Sequence, residues 1–170
     1  MSLKERIKNW LIKKSKKNGP LNEKQITAQV EAFEQYCQRM LNGEIYGFSS
    51  NHVNGALTYC KQQEAALLKL ADGDKKDSVY HSAFDVFSED FSLNYTNAVY
   101  DYGIYYTSMI SKVERANVTE DKRQVLIEKI DSANEQVESK KSEYDAILLS
   151  AEQCLNNGYH HTKAPKAAKK

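Results

Sequence analysis

Long hydrophobic runs are absent from this chain of 170 residues. No segment approaches the roughly 18 consecutive apolar residues that mark a membrane-spanning helix. The apolar segment "NWLI" near the start is followed at once by "KKSKK", and it is too short for the core of a secretory signal. The sequence therefore predicts neither a membrane span nor a secretory signal.

Cysteine is also scarce. The chain has three cysteines, Cys37, Cys60 and Cys154, and none of them forms a CxxC pair. This spacing argues against a zinc knuckle, a redox pair or a c-type haem site. Because unpaired cysteines are commonly buried, we predict that the three cysteines are small core residues. The absence of cysteine pairs also predicts a protein of the reducing cytoplasm.

Sequence signatures of catalysis are missing as well. The chain contains no GxxxxGK[ST], GxGxxG, GxSxG or HExxH motif. None of its four histidines follows an acid at the Glu-x-x-His spacing that di-iron bundles use. The sequence therefore predicts a non-enzymatic protein with no catalytic residue, no metal site, no cofactor and no small-molecule substrate.

Between a few Pro and Gly stops, the apolar residues recur at helical spacing, and no segment alternates like a strand. We predict an all-α fold, an antiparallel helical bundle of about five helices. The bundle domain is expected at residues 20–158, between a basic amphipathic helix at 1–18 and a basic disordered tail at 159–170. From Thr119 to Leu155 the heptad spacing predicts one long coiled-coil-like C-terminal helix.

The predicted core follows from the same periodicity. Each helix should bury one line of apolar residues against its neighbours. In the second helix that line contains Ile26, Val30, Phe33, Cys37 and Met40. In the third it contains Val53, Leu57, Cys60, Leu67, Leu68 and Ala71.

Five of the eleven tyrosines cluster in the segment "NYTNAVYDYGIYY". On a helix Tyr95, Tyr102 and Tyr106 fall on one line with other apolar residues, so we predict core packing rather than a ligand platform. The surrounding region, 79–117, forms either one helix or two with a break near Ser92–Asn94. Gly103 in its middle predicts the close approach of a neighbouring helix, because glycine is unfavourable inside a helix.

A second apolar patch lies on the opposite side of this region, at Leu93, Tyr100 and Ile104. One interpretation is contact with further helices of the same bundle. The other is a surface for another protein chain, since exposed apolar patches mark contact sites and tyrosine is enriched among binding hot spots. Base stacking is disfavoured because the rings have Asp101 beside them and no Lys or Arg.

We therefore favour a protein that acts through protein–protein interaction, as an adaptor, regulator, inhibitor or immunity-type factor. Its partner would be another protein chain, a second copy of this chain included. The long C-terminal helix and the patch at Leu93, Tyr100 and Ile104 are the candidate contact elements.

The N-terminal segment "SLKERIKNWLIKKSKK" is the second candidate for contact. It centres Trp10 in an apolar stripe and surrounds the stripe with basic residues, namely Lys4, Arg6, Lys8, Lys13 and Lys14. This pattern is typical of a helix on an anionic membrane surface or in a protein groove. The alternative is an ordinary first helix of the bundle with a solvated basic side.

Charge is distributed unevenly along the chain. Residues 1–17 carry a net +6 and residues 159–170 carry +4, which leaves −9 on the rest of a chain of net charge +1. Two basic ends suit an anionic partner, either a membrane surface or, as a weaker alternative, nucleic acid bound without sequence preference. The acidic body could also attract the N-terminal helix within the same chain.

Overall fold

A computed structural model describes residues 2–160 of the chain, and over residues 11–18 it describes the backbone alone. Within this range the regular structure is helical. The α-helices are α1 at Leu3–Asn18, α2 at Glu23–Leu41, α3 at Ser50–Leu68, α4 at Asp74–Val86, α5 at Leu93–Arg115 and α6 at Glu120–His160. A π-helical turn at Phe87–Ser92 joins α4 to α5.

The π turn answers the question of one helix or two. Val86, Phe87 and Leu93 all keep right-handed helical backbone angles at the junctions. The chain is therefore helical without interruption from Asp74 to Arg115, and the described residues form five helical segments rather than six. This confirms the prediction of an all-α, antiparallel bundle of about five helices.

Two compact units divide the described chain. The first comprises residues 2–38 and 103–135, and the second comprises residues 39–102 and 136–160. Helices α2, α5 and α6 each contribute residues to both units. Across the described residues, every helix is either too short or too polar to cross a bilayer.

In the first unit, α2 runs antiparallel to the end of α5. The Asn117 N–H donates to the Leu21 carbonyl at 2.8 Å, just before α2 starts, while the Phe33 ring further along α2 lies 5.2 Å from that of Tyr105. The start of α6 is also antiparallel to α5, because the Tyr106 hydroxyl donates to Asp131. These contacts close a small core whose buried members include Ile26, Val30, Phe33, Met109, Val113, Leu126 and Ile130.

The guanidinium of Arg123 fixes the turn between α5 and α6. Its Nη1 donates to the carbonyl oxygens of Val113 and Glu114, the first at 2.7 Å. The last carbonyls of a helix have no partner inside the helix, so a positive donor there satisfies them and complements the helix dipole. The Thr119 hydroxyl caps the start of α6 by accepting from the Lys122 N–H.

In the second unit, α6 runs antiparallel to the segment formed by α4, the π turn and α5. The Tyr159 hydroxyl donates to Asp77 at 2.7 Å, and the Tyr95 hydroxyl donates to Asp145 at 2.6 Å. Helix α3 completes the unit, with Gly158 of α6 packed closely against it. The buried members of this core include Phe48, Val53, Cys60, Leu67, Tyr95, Tyr144 and Leu155.

Most predicted core positions are buried, and the exceptions have a geometric cause. Tyr95 and Tyr102 are buried as predicted, whereas Tyr106 is partly exposed. The prediction for Leu68 and Ala71 was wrong, since both are exposed. Helix α3 ends at Leu68, so its buried line stops at the preceding residue.

The seam of the long C-terminal helix is buried within the chain. In the first unit it buries Leu126 and Ile130, and in the second unit it buries Val137, Tyr144, Leu148, Ala151 and Leu155. A seam that already packs on other helices of the same chain cannot also pair with a partner. The buried side of the long helix is therefore unavailable as a contact surface.

The predicted tail begins inside α6. Tyr159 and His160, which the sequence assigns to the tail, are helical. The reason is the Tyr159 ring, which stacks on Tyr80 at a centroid distance of 4.0 Å and anchors the last turn. Residues 161–170 lie outside the described part of the chain.

The buried Tyr95 hydroxyl makes stability depend on alkaline pH. Burial, together with the hydrogen bond to Asp145, raises the pKa of Tyr95 above its ordinary value. The unfolded chain therefore loses this proton first, near pH 10, and stability falls as the pH rises further. Between pH 10 and 11, we expect wild type to lose about 1 kcal/mol more unfolding free energy than Tyr95→Phe.

Urea unfolding of the two proteins at several pH values measures that difference. Equal pH dependence in wild type and Tyr95→Phe would show that the hydroxyl is not held as described. Tyr100→Phe removes the hydroxyl of an exposed tyrosine on the same helix and is the control for the substitution itself.

Candidate functional site

The three residues predicted to bind a partner lie on the surface of α5. Leu93, Tyr100 and Ile104 are each more than half exposed. Leu93 and Tyr100 belong to the second unit and Ile104 to the first. Within the second unit, a spacing of seven residues places Leu93 and Tyr100 on one side of this helix. Because the described part of the chain leaves them exposed, they are not core residues of the bundle.

Tyr46 adds a ring to this surface that the sequence did not predict. Its side chain is 78% exposed, and its hydroxyl oxygen accepts a hydrogen bond from Asn94 Nδ2 at 3.3 Å. The ring of His52 meets it edge-on at a centroid distance of 5.9 Å. Tyr46 is therefore held beside Asn94, in the first turn of α5. We call the surface formed by Tyr46, Asp90, Leu93, Tyr100 and Asp101 the α5 face.

Gly47 brings the loop with Tyr46 onto the helix. Its backbone has a φ of 86°, in the left-handed region that favours glycine. A Cβ at this position would overlap the carbonyl oxygen of Asn94 and lie 2.6 Å from its carbonyl carbon. Only a residue without a side chain allows the loop to approach this closely, so Gly47 positions Tyr46 on the α5 face.

The π turn lies directly before Leu93 and is held by two side chains. The Leu93 N–H bonds to the Ser88 carbonyl, five residues back. His52 Nε2 donates to the Phe91 carbonyl at 2.9 Å, and since a carbonyl only accepts, this nitrogen carries the hydrogen. Asn94 Nδ2 donates to the Asp90 carbonyl at 2.7 Å. Single π turns within α-helices are frequent at functional sites.

The α5 face is acidic. From Asp77 to Tyr102 the chain has five Asp and Glu residues and no Lys or Arg. Asp90 and Asp101 are both exposed, the first three residues before Leu93 and the second directly after Tyr100. These two exposed carboxylates favour a positively charged partner and speed its approach.

The N-terminal helix exposes the apolar side that the sequence predicts. Leu3, Ile7 and Trp10, which we call the N-terminal stripe, are each more than half exposed. The exposed parts of these side chains are accessible for contact. The predicted basic contacts Lys4, Arg6 and Lys8 are exposed too. The side chains of Lys13 and Lys14 lie outside the described residues.

Two cysteine thiols in the described residues have raised pKa values. Burial, with a smaller contribution from Cys154, raises the pKa of the Cys60 thiol to about 12. Burial is also the main cause that raises the pKa of Cys154. Because the thiolate is the nucleophile, the raised pKa values lower the nucleophilic fraction of both thiols at neutral pH. No group of three or more His, Cys, Asp and Glu in the described residues could hold a metal ion.

The chain matches no known protein family, no curated protein and no solved structure.

Proposed function

We propose that this protein is a non-enzymatic helical protein that binds another protein through the α5 face. The partner presents a basic, partly apolar surface to Leu93, Tyr100 and Tyr46. The observation that carries this proposal is the exposure of Leu93 and Tyr100 on a helix whose opposite side buries Tyr95 and Tyr102. An adaptor, regulator, inhibitor or immunity-type factor needs such a contact surface and no catalytic group.

The buried tyrosines of α5 support the proposal because they hold the helix in place. Tyr95 makes a hydrogen bond to Asp145, and its ring stacks on Phe48 at 5.9 Å. Tyr100 therefore extends from a fixed backbone, so binding would order few additional groups and lose little entropy. Tyrosine offers a large contact area with few rotatable bonds, which explains its enrichment at protein interfaces.

The acidic residues of the α5 face select the partner. Asp90 and Asp101 would oppose Lys or Arg side chains, while Leu93 and Tyr100 would bury apolar area at the centre. A centre of this kind supplies most of the affinity, and charges at the rim supply orientation and association rate. A strongly acidic protein would be repelled and is not the expected partner.

Affinity capture from an extract of the host tests the proposal. The baits are the full-length wild type, Tyr100→Glu, and Leu149→Glu as a matched control at a leucine of α6 that is 56% exposed. We expect wild type and Leu149→Glu to retain the same basic protein. Tyr100→Glu should bind it about thirtyfold more weakly, the loss expected for a hot-spot residue.

The salt dependence of capture provides the second criterion. Raising the NaCl concentration from about 0.1 M to about 0.5 M should weaken binding, because salt screens the acidic rim. Capture that resists Tyr100→Glu, or that Leu149→Glu abolishes equally, would contradict the assignment of the α5 face. A circular dichroism spectrum of each variant establishes that it is folded.

A further inference from the structure

We infer that α1 is a second binding element, which lies on the surface of an anionic lipid bilayer. In this arrangement the N-terminal stripe enters the boundary between headgroups and acyl chains. Lys4, Arg6 and Lys8 contact the lipid phosphates. This activity is separate from protein binding at the α5 face and does not depend on it.

The stripe has the geometry of an interfacial helix. Leu3, Ile7 and Trp10 are four and three residues apart, which places them within about 60° of one another around the helix axis. All three are more than half exposed. Trp10 is the third of these residues and the single tryptophan of the chain. Its ring combines an apolar body with a polar N–H, which suits a site between hydrocarbon and water.

The charges flank the stripe on both sides. On the helix, Arg6 falls on one side of the stripe, and Lys4 and Lys8 fall on the other. Long basic side chains in these positions lay their stems along apolar surface and raise their charged ends to the headgroups. Residues 1–17 carry a net +6, which is complementary to an anionic bilayer. Charge on both flanks fits a flat anionic surface better than a narrow protein groove.

The start of the helix is already formed before binding. The Ser2 hydroxyl accepts from the Glu5 N–H at 3.2 Å, and the Glu5 carboxylate accepts from the Ser2 N–H at 2.8 Å. This reciprocal pair satisfies two otherwise unpaired backbone donors. The only acid of α1 is thus used at the helix start, on the side away from the stripe, where it does not oppose the bilayer.

The single tryptophan makes the test direct. Full-length protein is titrated with vesicles of phosphatidylcholine containing about 30% phosphatidylserine, and with vesicles of phosphatidylcholine alone, while Trp10 emission is recorded. The phosphatidylserine fraction supplies the negative surface potential. We expect a blue shift of the emission with the anionic vesicles, quenching by brominated acyl chains, and a much smaller response to neutral vesicles.

Two variants retain the tryptophan reporter. Ile7→Glu places a charge in the stripe and should raise the lipid concentration for half-maximal shift at least tenfold. Leu149→Glu changes an exposed leucine elsewhere and should match wild type. Both positions are exposed, so both variants should fold, and circular dichroism verifies this. Tyr100→Glu should also bind vesicles normally, which distinguishes this activity from the proposed protein binding.

Three results would overturn the inference. The first is no change in Trp10 emission with anionic vesicles. The second is a change that Ile7→Glu leaves intact. The third is a blue shift that depends on protein concentration without lipid and is lost in Ile7→Glu, which would assign the stripe to a second copy of the chain instead.

Discussion

Gly47→Ala should lower the free energy of unfolding by about 3 kcal/mol or more. The added methyl group would overlap the carbonyl oxygen of Asn94, a backbone atom that cannot move without displacing the first turn of α5. The left-handed backbone at residue 47 adds a further cost of roughly 1–2 kcal/mol for a residue with a side chain. Chemical denaturation followed by circular dichroism measures the loss.

Gly103→Ala is the matched control, and its effect should have the opposite sign. Gly103 lies inside α5, and a Cβ there would have nothing within 4 Å. Alanine has the higher helix propensity, so this variant should gain up to about 1 kcal/mol. Equal effects of the two substitutions would contradict the close approach of the loop to the helix.

Phe48→Ala should destabilise the protein by about 3–5 kcal/mol. Phe48 is fully buried, and its ring lies 5.9 Å from that of Tyr95 and 4.9 Å from that of Tyr144. The substitution removes contacts with both α5 and α6 at once and leaves a cavity in the second unit. Urea unfolding measures the loss. If the slope of unfolding free energy against urea concentration is the same in both proteins, the shift in midpoint multiplied by that slope gives the change in unfolding free energy.

Tyr46→Ala, two residues earlier in the same loop, is the control. It also removes an aromatic ring, but from an exposed position, so it shows whether the loss of stability in Phe48→Ala comes from burial. Tyr46 is mostly exposed and keeps one hydrogen bond to Asn94. We expect a change within about 0.5 kcal/mol, as for most surface positions. If Phe48→Ala cost no more than Tyr46→Ala, the loop would not form part of the core.

The fold was largely predictable because helical periodicity reports burial directly. The line from Ile26 to Met40 and the seam of α6 are apolar at the spacing of a helix face, and both are buried. The periodicity also distinguished the two sides of α5. The predicted core residues Tyr95 and Tyr102 are buried, whereas Tyr100 on the opposite side is exposed. Such patterns are local, so one sequence contains them in full.

The features that the sequence did not predict depend on tertiary contacts, which leave no periodic pattern in the sequence. Gly103 was predicted to mark a close helix approach, and that prediction was wrong, since the tight approaches lie at Gly47 and Gly158. A glycine is equally compatible with a crowded and an open position, and only the neighbouring helix decides between them. Tyr46 was missed because it lies in a loop, where its exposure follows from the Gly47 contact.

The π turn illustrates the same limit. The sequence indicated a disturbance near Ser92–Asn94 but could not distinguish a break from an extra residue within a continuous helix. The hydrogen bond from His52 to the Phe91 carbonyl joins α3 to the turn across 39 residues of sequence. The local sequence "FSEDFSLN" gives no indication that His52 is the partner of the turn.

Burial divides the tyrosines of α5 between two roles in this account. Tyr95 and Tyr102 are buried and anchor the helix, and we propose that the exposed Tyr100 contacts a partner. The most direct test is photo-crosslinking in the host with Tyr100→p-benzoylphenylalanine, compared with the same probe at Leu149. We predict one discrete crosslinked protein from position 100, identical to the captured partner, and none from position 149. No adduct at position 100, or the same adducts from both positions, would contradict the account.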